Sequence, residues 1–113
     1  MSARDWHPSE SGETLGQTGS EEGNVVRDEE HSLGARITLE RDVRIAPFAI
    51  TCGIYGWMMH TCFLSTEAEA DSRYDLMKDS LSELLEAAEQ TADVDGGRQV
   101  LMNGVEEFVG EYP

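Results

Sequence analysis

His60 and Cys62 stand two residues apart near the end of the run Ala49-Ile-Thr-Cys-Gly-Ile-Tyr-Gly-Trp-Met-Met-His-Thr-Cys-Phe-Leu64, which also holds the second cysteine, Cys52. Residues two apart on a strand share a face. An imidazole and a thiolate on one face make half of a tetrahedral metal shell, and the same pair has the character of a general base beside a nucleophile. Completing either kind of site requires converging groups from elsewhere. The chain has no paired-cysteine zinc signature and no Gly-x-Ser-x-Gly elbow, and Arg41 is the one further embedded group worth naming. Neutral histidine and free cysteine are also ordinary residents of sheets, where a neighbouring carbonyl or carboxylate satisfies them. The expectation is therefore no catalysis and no cofactor, with a metal held by His60 and Cys62 only if a second subunit supplies further ligands.

The elements that position these residues follow from periodicity. From Ala35 the chain alternates, with Ile37, Leu39, Val43 and Ile45 on one parity and Arg36, Thr38, Glu40, Asp42 and Arg44 on the other. This is the pattern of a half-buried strand, which Pro47 ends because it cannot donate to a ladder. Reading Gly53-Ile54-Tyr55-Gly56 as a four-residue hairpin loop places Cys52 opposite Trp57. Phe48, Ile50, Cys52, Trp57, Met59 and Phe63 then form the core face, and Ala49, Thr51, Met58, His60, Cys62 and Leu64 the other. That register separates Cys52 from Cys62 by roughly 16 Å, too far for a disulfide. It also leaves Ile54 and Tyr55 at a hairpin tip, where apolar residues can anchor a partner.

Thr66 followed by Glu69 predicts a capping box opening a helix. Ala70, Tyr74, Met77, Leu81, Leu84 and Ala88 give that helix an apolar seam, and Asp71, Asp75, Asp79 and Glu83 form a carboxylate stripe along it. The stripe reads either as a solvated face or as a surface for a basic partner, an acidic decoy that mimics nucleic acid. After the break at Asp93-Val-Asp-Gly-Gly97, a second helix is predicted from about Arg98 to Val109, with Leu101, Val105 and Phe108 on one side.

Residues 1–33 are rich in Ser, Gly, Thr and Glu with no sustained apolar period, which predicts a disordered acidic arm before a single domain at 34–113. Eight Lys and Arg against 23 Asp and Glu give a formal charge of −15, which repels phosphate backbones and anionic lipid, so direct nucleic acid binding is excluded. Lys78 is the only lysine, and low lysine with high Asp and Glu is the pattern of salt-adapted surfaces. Two cysteines and an opening without an apolar signal core point to a cytoplasmic protein, and no apolar run is long enough to span a membrane.

Gly53-Ile54-Tyr55 resembles the first half of the motif that names the GIY-YIG nucleases, but no Tyr-Ile-Gly follows and the charge opposes an enzyme that holds DNA. The sequence thus predicts an α+β fold. Three antiparallel strands, at about 35–45, 48–53 and 57–64, form a meander, and two helices cover one sheet face. The second face, with Met58, His60, Cys62 and Leu64, is left for a second copy. The expected function is a non-catalytic homodimeric interaction or regulatory module with an unidentified protein partner. The alternatives are a small-ligand or metal-binding protein with its site near His60 and Cys62, and the acidic decoy.

Overall fold

A computed structural model describes residues 6–91 and 93–113. The class is α+β, as the periodicity predicts, but the sheet has five strands and not three. They are β1 (Trp6–Pro8), β2 (Asn24–His31), β3 (Ala35–Arg41), β4 (Phe48–Ile54) and β5 (Met58–Leu64), followed by helices α1 (Glu67–Glu89) and α2 (Val94–Glu111). The strands lie in chain order, each antiparallel to the next, so the sheet is a continuous meander.

The two additional strands come from the segment expected to be an arm, whose residues 1–5 lie outside the described residues. β2 carries little apolar surface, and partners distant in sequence hold it. Its registers Arg27↔Leu39, Glu29↔Ile37 and His31↔Ala35 turn Arg27, Glu29 and His31 toward the face that α1 covers. There Glu29 accepts hydrogen bonds from Tyr74 Oη at 2.9 Å and Lys78 Nζ at 3.1 Å. Arg27 reaches Asp75 at 3.0 Å and lies 3.9 Å over the Tyr74 ring. β1 is anchored by Trp6, whose indole N–H donates to buried Ser82 Oγ at 2.7 Å and whose ring meets His31 edge-on.

The core lies between this face and α1, with Ile37, Leu39, Ile50, Cys52, Ile54, Cys62 and Leu64 facing Ala70, Tyr74, Met77, Leu81 and Leu85. The helix begins as predicted: Thr66 Oγ1 accepts from the Glu69 N–H and donates to its carboxylate. It departs from the predicted seam near its end, where Leu85 is buried and Leu84 and Ala88 are only half-buried. α2 starts four residues before the predicted position, at Val94, with Asp93 as its N-cap, and packs through Leu101, Val105 and Phe108.

The hairpin register differs from the predicted one, and this re-sorts β5. The loop is Tyr55-Gly56-Trp57, closed by a Trp57 N–H to Ile54 C=O bond of 2.9 Å, with Gly56 at φ 83° supplying the left-handed residue the turn needs. Cys52 therefore pairs with His60 and not Trp57. An odd shift of register inverts the faces of a strand. Met58, His60, Cys62 and Leu64 lie on the helix-covered face, while Met59, Thr61 and Phe63 lie on the other. The face expected to await a second subunit is thus the one α1 covers.

Candidate functional site

His60 and Cys62 share a face, as their spacing requires, and the C-terminal segment brings them a common partner. The backbone carbonyl of Tyr112 accepts a hydrogen bond from His60 Nε2 and another from Cys62 Sγ, the latter at 3.1 Å. The Tyr112 phenol in turn meets Ser80 Oγ at 2.7 Å on α1. The pair therefore fastens the end of α2 to the sheet. Cys52, opposite His60, is a diagonal neighbour of Cys62 at roughly 7–8 Å, in place of the 16 Å expected from the other register. Both thiols are free and buried. Burial pushes the Cys52 thiol up to about 12, and burial raises Cys62 as well, with Arg73 opposing it. Neither is an activated nucleophile. Among the described residues, no group of three or more His, Cys, Asp and Glu side chains is arranged to hold a metal ion.

The carboxylate stripe is partly engaged. Arg27 of β2 bonds Asp75 and lies 3.9 Å from Asp71, so the first half of the stripe flanks a cation. Asp79 is exposed on the same helix, and Glu83 lines a shallow groove between the two helices beside Leu84 and Phe108.

The concave site lies on the opposite sheet face, which the sequence reading did not single out. Asp28, Arg36, Thr38, Glu40 and Thr51 project from β2, β3 and β4 on that side. The segment between β1 and β2 folds back across part of them, leaving a cleft of about 690 Å³. Its floor is a network of polar groups. Arg36 grips Asp28 with two hydrogen bonds, from Nε at 2.9 Å and from Nη2 at 2.6 Å, and Thr38 Oγ1 adds a third at 2.9 Å. Burial pushes the Asp28 carboxyl up, but the hydrogen bonds from Arg36 and Thr38 with the guanidinium charge outweigh it and hold the group below its ordinary value. The reciprocal contact raises Arg36.

Glu40 is fully buried and serves the overlying segment. Its carboxylate accepts from the backbone N–H groups of Glu21 and Gly23, at 3.1–3.3 Å, fixing the roof of the cleft to its floor. Thr51 and Thr61 pair hydroxyl to hydroxyl at 3.2 Å across β4 and β5.

The cleft wall is apolar and aromatic. Tyr55, Trp57 and Met59 come from the β4–β5 hairpin, with Ile54 and Met58 behind them. The Tyr55 hydroxyl donates to Glu30 at 3.0 Å, and Ser9 donates to the same carboxylate at 2.8 Å, which ties the hairpin tip to β2 and to the turn after β1. Those two hydrogen bonds, Ser9 first, lower Glu30, while burial and then the Glu30 contact raise the Tyr55 phenol.

Of the residues the sequence singled out, Tyr55 thus lines the cleft, while Ile54 and Met58 border it from positions that belong to the helix-covered face. His60 and Cys62 belong to the far side of the sheet, and the stripe from Asp71 to Glu83 belongs to α1. Asp28, Arg36, Thr38, Glu40 and Trp57 are the members that sequence reasoning missed. One signal was available: Thr38 and Glu40 are polar residues of a strand whose other parity is apolar, and that polar row is the floor. No helix among the described residues is long and apolar enough to cross a membrane. Comparison with protein-family models, with curated proteins and with solved structures finds no match to this chain.

Proposed function

We propose that this protein is a non-catalytic binding module whose site is the cleft on the sheet face away from the helices. One observation carries the reading: a hydrogen-bonded polar floor lies directly beneath an aromatic wall in a cavity of about 690 Å³. Small-molecule sites commonly have volumes of about 300–1,000 Å³ and combine an apolar lining with a few fixed polar groups. The same combination suits a ligand with a flat apolar part and a polar head.

The sign of that head follows from the lining charges. Glu10, Asp28 and Glu40 face the cleft with Arg36 as the single cation among its lining residues, and the whole chain adds a field from its charge of −15. Trp57 and Tyr55 line the cleft, and the face of an aromatic ring favours a cation over an anion. The preferred ligand is therefore an aromatic or aliphatic amine rather than a carboxylate. His60 and Cys62, the groups with the most reactive chemistry, lie across the sheet and take no part.

A matched pair of probes tests this. Phenethylamine and 3-phenylpropionate share a ring and differ in charge, and a ligand that binds only the folded state raises the unfolding temperature. The amine should stabilise the protein and change Trp57 fluorescence, and Trp57→Ala should abolish both effects. Stabilisation by the carboxylate alone, or an amine effect that survives Trp57→Ala, would place the site elsewhere.

A further inference from the structure

The two edges of the sheet are built differently. β1 closes one edge with three residues and ends at Pro8, both of which discourage a further strand. β5 closes the other with seven residues in unbroken register with β4, free of proline and of any bulge. Alternate residues of an edge strand point their amide and carbonyl groups outward, so β5 offers a row of unpaired ladder positions. Proteins ordinarily guard such an edge with charge. Here no Asp, Glu, Lys or Arg occurs from Ile45 to Thr66, in a chain where charged residues make up 27% of the whole.

We infer that β5 is the docking edge for a second copy of this chain, paired antiparallel about a two-fold axis at Thr61. Two features favour a copy over another partner. The first is self-complementarity. Centring the pairing on Thr61 sets Met59 against Phe63 of the second copy and Phe63 against its Met59, so the two exposed apolar side chains of the open face cover each other. Met59 is 82% exposed and Phe63 43% exposed, two apolar side chains that flank Thr61 on one face of the strand. The second is electrostatic. Two chains of charge −15 repel wherever their charged surfaces approach, and β5 itself brings no charged side chain to the contact. On the helix side, His60 and Cys62 already hold the Tyr112 carbonyl, so the backbone ladder and the Met59-Thr61-Phe63 row carry the contact. The product is a ten-stranded sheet with the two clefts on one face.

This geometry is tested with the full chain by native mass spectrometry and light scattering. The wild type should be a dimer. Met59→Lys and Phe63→Glu should each give monomers with wild-type circular dichroism, because both side chains are exposed in the single chain, and with an unfolding midpoint that no longer depends on protein concentration as the dimer's does. Mixing the two variants should restore a dimer containing one chain of each, since the antiparallel register brings the introduced charges of opposite sign together. Met102→Lys, on an exposed apolar position of α2, should leave the dimer intact. A monomeric wild type, a dimer that survives either edge substitution, or a mixture that stays monomeric would overturn the inference.

Discussion

Trp6 decides whether the first strand belongs to the fold. Its indole is 93% buried by the measure of its remaining 7% exposure, and its N–H is held by a hydroxyl on α1 that is itself fully buried. Replacing Trp6 with Ala removes the packing and leaves Ser82 without its donor. Truncations of a buried Trp typically cost about 3–5 kcal/mol. β1 is a three-residue edge strand, so the loss is capped by the free energy of detaching it locally, and the lower end of that range is the better expectation. Trp6→Phe keeps most of the ring and loses the N–H, for about 1–2 kcal/mol. At roughly 4–8 °C per kcal/mol for a domain near this size, Trp6→Phe should lower the unfolding midpoint by several degrees and Trp6→Ala by considerably more. Urea unfolding followed by circular dichroism reads both. A cycle with Ser82→Ala isolates the hydrogen bond, with a coupling of about 1 kcal/mol expected. If Trp6→Ala left the stability within about 0.5 kcal/mol of wild type, as a surface change does, residues 6–8 would be an undocked arm and the five-stranded sheet would be wrong.

Three further outcomes follow from the same contacts. The Cys52 and Cys62 thiols, buried and shifted up, should resist a thiol reagent at about pH 8 in the folded protein and react promptly in denaturant, where ordinary values near 8.5 apply. The Asp28 carboxyl is lower in the folded chain than in the unfolded one. The stability it adds is therefore present above the unfolded value near 3.9 and lost as pH falls through the folded value, and acid titration of the unfolding midpoint should lose that limb in Asp28→Asn. Gly23→Ala places a methyl against the Arg41 carbonyl and Val43, neither of which can swing aside, so it should cost about 1–3 kcal/mol and loosen the cleft roof, as hydrogen exchange at residues 19–23 would show.

Sequence periodicity was informative wherever a single period governed an element. The alternation of β3 from Ala35 to Glu40, the capping box at Thr66 and the α1 apolar positions from Ala70 to Leu81 place residues where the structure has them. The strand expected to run to about residue 45 nevertheless ends at Arg41, where Asp42 turns the chain at φ 56° and leaves Ile45 exposed. It was uninformative for β2, because strand signals count apolar residues and Arg27, Glu29 and His31 reach the helix-covered face as polar side chains. The partners of Arg27 and Glu29 are Tyr74, Asp75 and Lys78, more than 40 residues away, and no local window contains them. The hairpin failed for a narrower reason. Gly53 and Gly56 both look like turn residues, yet only Gly56 adopts the left-handed conformation, while Gly53 sits inside β4 where an added Cβ would lie 3.1 Å from the Met58 carbonyl. Choosing the wrong glycine moved the register by three and turned every β5 side chain to the wrong side. The cleft went unseen as a consequence, since it depends on both the β2 row and the β5 face.

The most direct test of the binding account is an amide-resolved NMR titration of the full chain with phenethylamine. The account predicts shifts concentrated at Thr51, Tyr55, the Trp57 indole and the Arg36 side chain, with His60 and Tyr112 silent. Shifts centred on His60, Cys62 and Tyr112, or spread along Asp71 to Glu83, would contradict it.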